Sequence, residues 1–172
     1  MIKKIIILVL FLNSLFSFSQ IANDSLITSM KNAKKILLTS HEDFELFIKK
    51  TGERKTKFRP LLKNEKPNKK IIKKQIYLDL KLKNELINII SNQKKDSLVY
   101  DGNYCFEPHH TIFLYKEKKW LYIDLCFGCD HYSYSKELKI NKDDFLVTYE
   151  DWRKLETFFR NQNLNYKMRK RK

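Results

Sequence analysis

Glycine, proline and cysteine are all scarce in this chain, with three of each among 172 residues. A collagen-like chain is thereby excluded, and a low-complexity disordered one is implausible. Three cysteines are too few for a disulfide scaffold, and their odd number leaves at least one unpaired within a single chain. Also missing are a glycine-rich phosphate loop, a His-Glu-x-x-His pair and a nucleophile elbow, so no motif assigns a catalytic residue. Acidic residues are in deficit, 20 against 35 Lys and Arg, which gives a formal charge of +15. Aromatics are plentiful: twelve Phe, nine Tyr and two Trp can fill one modest core.

No apolar run is long enough to cross a bilayer comfortably, since a spanning helix needs about 20 such residues. The run Ile5 to Leu12 is preceded by Lys3 and Lys4 and followed by Ser17 and Ser19, small residues at the −3 and −1 positions before Gln20. That is the pattern of a signal peptide over residues 1–19, cleaved before Gln20. With no cysteine at the cleavage point, a lipid anchor is not expected. The reading is an exported protein, periplasmic or extracellular, with no transmembrane segment after cleavage and one domain over 20–166.

The positive charge is concentrated. Residues 49–74 hold twelve Lys or Arg against Glu53 and Glu65, and the tail 167–172 holds five more, so these two segments account for the whole net charge. Pro60 and Pro67 break the first segment, so 53–70 reads as a long, exposed, mobile basic loop. Such segments suit an anionic envelope surface, or are simply solvated. Export and the lack of interleaved aromatics argue against nucleic acid.

Periodicity supplies a coarse element map. Leu26, Ile27, Met30, Ala33 and Leu37 fit a helical stripe over 25–38, although Lys35 to Thr39 fits a short strand equally well. Ser40 with Asp43 signals the start of a helix carrying Phe44, Phe47 and Ile48, stopped at Gly52, with His41 exposed in its first turn. Ile76, Leu78, Leu80 and Leu82 alternate as in a strand, and Leu86, Ile87, Ile89 and Ile90 form the buried side of a following helix. Residues 97–100 and 132–135 read as short strands. Trp152, Leu155, Phe158 and Phe159 make the stripe of a C-terminal amphipathic helix, with Glu150 and Asp151 at its N-terminus. The mixture predicts an α+β fold: a small antiparallel sheet, including a central hairpin at about 110–126, with helices packed on one face.

All three cysteines surround that hairpin, in Cys105-Phe-Glu-Pro-His109-His110 before it and Cys126-Phe-Gly-Cys129-Asp-His131 after it. A two-residue turn at Glu117 and Lys118 pairs Lys116 with Lys119, Tyr115 with Trp120, Phe113 with Tyr122 and Thr111 with Asp124, and sets His109 opposite Cys126. A three-residue turn brings His110 there instead. Either register delivers one histidine to the Cys126–Cys129 pair. With Cys105, the set of Cys105, His110, Cys126 and Cys129 is that of a closed structural zinc site, Gly128 relieving crowding as the chain turns about the ion. An exported protein meets oxidising conditions, so a disulfide is the competing reading. A redox dithiol fits less well, because Asp130, His131 and Tyr132 continue as strand rather than as a helix. Asp124 is placed to support a ligand histidine or to pair with Thr111.

At these residues the chain resembles uncharacterised exported proteins of Bacteroidota and related bacteria, which carry Cys-aromatic-x-Pro-x-His, a hairpin, then Cys-Phe-x-Cys. Cys105, Phe106, Pro108, His110, Cys126, Phe127 and Cys129 carry the resemblance, over about residues 98–130. It implies His110 rather than His109 as the fourth member of the set, and implies no activity. The functional expectation is a non-enzymatic binding or structural domain stabilised by the Cys/His cluster, holding zinc or a disulfide and otherwise no cofactor, with its partner unknown. The alternative is a thiol-redox or metal-dependent periplasmic enzyme built on the same cluster.

Overall fold

The computed structural model of the chain describes residues 21–50, 53–93, 106–140, 145–146 and 148–168. In chain order these form α1 (Ile21–Asn32), β1 (Lys35–His41), β2 (Glu45–Lys50), β3 (Glu53–Phe58), β4 (Leu62–Lys63), β5 (Lys66–Pro67), β6 (Ile72–Tyr77), α2 (Leu80–Ser91), β7 (His110–Lys116), β8 (Lys119–Cys126), β9 (His131–Tyr134) and α3 (Tyr149–Asn161). The expected signal peptide, Cys105 and the strand at 97–100 lie outside the described residues. No described helix is long and apolar enough to cross a membrane.

The β7–β8 hairpin turns on Glu117 and Lys118, both left-handed at φ 50° and 64°, as a two-residue turn between twisted strands requires. Lys116 therefore pairs with Lys119, Tyr115 with Trp120, Phe113 with Tyr122 and Thr111 with Asp124. Around it assembles a five-stranded antiparallel sheet in the order β6-β1-β7-β8-β9. The fold is α+β, with three helices packing against the sheet.

Alternation along the strands sends Ile36, Leu38, Ile112, Leu114, Ile123 and Leu125 to one face, where they join Leu26, Met30, Leu86, Ile90, Trp152, Leu155 and Phe159 from the helices. Each such side chain, fully removed from water, contributes about 1.5–3 kcal/mol before chain entropy is counted. Asp79 caps α2 by accepting from the Leu82 amide at 2.8 Å. For that reason Leu80 and Leu82, expected in a strand, belong to the helix, and the strand ends at Tyr77. At α3, Thr148 and Asp151 form a reciprocal capping box, so Asp151 serves the helix start as its position suggested.

Two expectations are overturned. The stretch after Ser40 is not helical: β1 runs through His41, and Glu45–Lys50 pairs with Glu53–Phe58 over six residue pairs as a separate hairpin. Ser40 is no helix cap, because it sits mid-sheet between Lys74 and His110. Nor is 53–70 an unstructured loop. It contributes β3 and the small β4–β5 hairpin, and the latter packs on β8. Asn68 is buried and donates to the Pro60 carbonyl while its amide donates to that of Leu61. The physical cause is the sheet's second face. Leu37, Thr39, His41, Thr111, Phe113 and Asp124 lie there, all buried, and a face that holds both apolar and polar side chains away from water needs cover from the chain that follows β3. The exposed lysines of this segment ride on the outside of that cover.

Candidate functional site: the histidine and disulfide end of the sheet

β7 starts at His110 and β8 ends at Cys126, so the hairpin returns the chain to one end of the sheet. Beyond β8 the backbone turns at once, and Cys126 pairs with His131 at the start of β9. A disulfide joins Cys126 to Cys129 across this turn, with Cα atoms 5.5 Å apart. Asp130, not Gly128, takes the left-handed conformation, at φ 50°. A Cβ added at Gly128 would meet nothing within 4 Å. The expected role of Gly128 in relieving crowding is therefore not needed in this disulfide-closed turn.

His110 points to the helical face. Its ring packs against Phe127 and edge-on to Phe159, at 5.0 and 5.7 Å between centroids. Burial, reinforced by His41 and His109 nearby, pushes its pKa down to about 3 although the ring hydrogen-bonds the Leu164 backbone. The ring is therefore neutral at physiological pH, and its Nε2 is buried with no protein partner. Across the β1–β7 ladder stands Ser40, whose hydroxyl is likewise buried without one. His109 stands beside the ladder: its amide donates to the Leu125 carbonyl, and its ring lies edge-on to Tyr166 and 3.5 Å from Asp43. Burial and Lys167 lower its pKa, against the pull of Asp43.

On the second face, Gln75, Thr39, Thr111, Asp124 and Ser133 form one row across all five strands. Asp124 Oδ1 accepts from Thr111 Oγ1 at 2.9 Å and lies 3.1 Å from His41 Nε2. Of the two readings for Asp124, pairing with Thr111 is therefore present, and the histidine it supports is His41. His41 itself, expected to be solvent-exposed, is fully buried. Its Nδ1 sits 2.9 Å from the Glu42 carbonyl, which can only accept. Nδ1 is thus placed to donate to that carbonyl, and Nε2 faces the Asp124 carboxyl. Burial raises the Asp124 pKa, opposed by its bonds to His41 and Thr111. With Phe44 stacked on the ring at 5.0 Å and both nitrogens engaged, His41 is closed to substrate.

A cleft of about 500 Å³ opens at this end, with His109, His110, Cys126, Cys129, Tyr149 and Lys167 among its lining. Three of the four predicted site residues, His110, Cys126 and Cys129, are thus brought to one cleft; Cys105 lies outside the described residues. A disulfide and a zinc–thiolate site on Cys126 and Cys129 exclude each other. With these sulfurs joined, no group of three or more His, Cys, Asp or Glu among the described residues is arranged to hold a metal. Sequence reasoning missed His41. The pairing of Thr111 with Asp124 pointed at the row it flanks, but placing β1 beside β7 needs tertiary information. No protein-family model matches the chain, and neither a curated protein nor a solved structure is significantly similar to it.

Proposed function

We propose that the chain is an exported, non-enzymatic binding domain, in which the Cys126–Cys129 disulfide fixes the wall of a ligand cleft. One observation carries this reading: the disulfide and the neutral, buried His110 line the same cleft of about 500 Å³. A disulfide suits an oxidising compartment, in keeping with the signal-like residues 1–19. The basic composition of residues 49–74 favours docking at an anionic envelope surface once the protein is exported.

The test is an intact mass and thiol count on protein taken from its native compartment without reductant. One free thiol, that of Cys105, and a mass beginning at Gln20 support the proposal. Retention of residues 1–19 would remove the export reading. Stoichiometric zinc, with thiols reactive only after chelation, would replace the disulfide form by the metal form. A second reading, a thiol-redox or metal-dependent enzyme, draws support from the free Nε2 of His110 beside the cysteines. It requires Cys126 and Cys129 to cycle reversibly between dithiol and disulfide, or to bind metal when reduced.

A further inference from the structure

His109 also lines a second cleft, of about 430 Å³, whose other walls are the rings of Phe44, Phe58 and Phe106 with Pro108, and the carboxylates of Asp43 and Glu107. In a chain of net charge +15, the described residues of this lining include no lysine or arginine, although Lys167 pairs with Asp43 at 2.8 Å. Two of its rings are held at the surface against the hydrophobic effect: Phe58 is 66% exposed and Phe106 41%. Phe44 and Phe58 are not stacked flat but tilted by 59°, with centroids 6.4 Å apart, and both line the cleft. His41 covers one face of Phe44 at an interplanar angle of 18°.

We infer that this cleft binds a small organic cation of the quaternary or tertiary ammonium class. The reasoning is electrostatic and independent of the disulfide reading. An aromatic face carries negative potential, and several faces around one cation attract it while displacing little water. An anion would be repelled by Glu107, the carboxylate of this lining that Lys167 does not bond. A primary ammonium holds its hydration shell and demands hydrogen-bond acceptors that phenylalanine lacks. A methylated ammonium spreads its charge over apolar surface and suits ring walls with carboxylates at their edge. Lys167 Nζ lies 2.8 Å from both oxygens of Asp43 and already satisfies that carboxylate, so the rings and Glu107 are what draw a ligand cation.

The experiment titrates the full-length protein, at fixed ionic strength, with choline and with its neutral isostere 3,3-dimethyl-1-butanol. Choline is expected to bind saturably, and the isostere at least about three-fold more weakly, the scale of a cation–π contact at an exposed site. Phe58→Leu keeps an apolar side chain at an exposed position and should weaken choline about three- to five-fold. Glu107→Gln, at another exposed position, should weaken choline but leave the isostere unchanged. Equal affinity for both probes, no saturable choline binding up to about 10 mM, or undiminished choline binding by both variants would overturn the inference. Phosphatidylcholine vesicles form the last arm. No co-sedimentation is expected, and co-sedimentation abolished by Phe58→Leu would overturn the assignment to a free solute.

Discussion

His41 and Asp124, 83 residues apart in the chain, meet in the interior with Nε2 3.1 Å from Oδ1, at 0% and 1% side-chain exposure. The Nδ1 of the same ring faces the Glu42 carbonyl at 2.9 Å, so both ring nitrogens are engaged. The contact between them offsets part of the cost of burying two polar groups.

Removing either partner strands the other. His41→Leu or Asp124→Leu alone is expected to cost about 3–5 kcal/mol. The double substitution should cost clearly less than the two singles together, with a coupling of about 0.5–3 kcal/mol. Urea unfolding of the four proteins measures this cycle. Additive losses would show that the two side chains are not coupled.

His110 makes stability depend on pH in a predictable sense. Its folded pKa of about 3 lies well below the ordinary histidine value near 6.5. Between those two values the unfolded chain holds a proton that the folded chain does not. Its contribution is thus fully present above about pH 6.5 and is lost as pH falls toward 3, by about 1.4 kcal/mol per unit. His109, also lowered by burial, acts in the same direction. Between pH 7 and pH 5 the native protein should lose about 2 kcal/mol more than His110→Gln does. Equal losses in urea unfolding at the two pH values would refute the buried, neutral assignment.

What could be read from the residues, and what could not, separates by range. The hairpin register follows from local signals, because β-branched and aromatic runs flank a polar turn and any two-residue turn fixes all pairs. The α3 stripe and its capping acids are equally local. The exchange of a helix for β2 is not: Ser40 and Asp43 mimic a cap, and only β7 beside β1 with β3 beside β2 makes the extended form prevail. The basic excursion misled for a related reason. Lysine-rich composition describes its outer surface, whereas its structure answers to Leu37 and Phe113 beneath, which no local pattern reveals. In the site, Cys126, Cys129 and His110 follow from the hairpin's closure, while the His41–Asp124 pair depends on a contact across half the chain.

That excursion supplies a further test. Asn68 is a buried polar anchor, donating to the Pro60 carbonyl at 2.9 Å and accepting from the Lys70 amide at 3.2 Å. Asn68→Ala leaves those backbone groups without their partner, at a cost of about 1–3 kcal/mol. Because the loss is local, limited trypsin digestion should cut after Lys63, Lys69 or Lys70 sooner in the variant than in the native protein. An unchanged digestion pattern would mean that Asn68 does not hold the segment down.

The disulfide closes a short loop, Cys126 and Cys129 being separated by 3 in sequence, and this bounds its contribution. Cross-linking stabilises mainly by restricting the unfolded chain, and the effect shrinks with loop length, so a loop this small contributes about 2 kcal/mol, the low end of the usual range. Cys129→Ser should therefore lower stability by roughly that amount and leave a folded protein whose far-ultraviolet circular dichroism is unchanged. Reducing the native protein with excess dithiothreitol should produce the same shift, and adding dithiothreitol to the variant should produce none. Were reduction to have no effect on the native protein, the bond would not be formed in solution. Complete unfolding on reduction would instead show the turn to be held by more than a short cross-link.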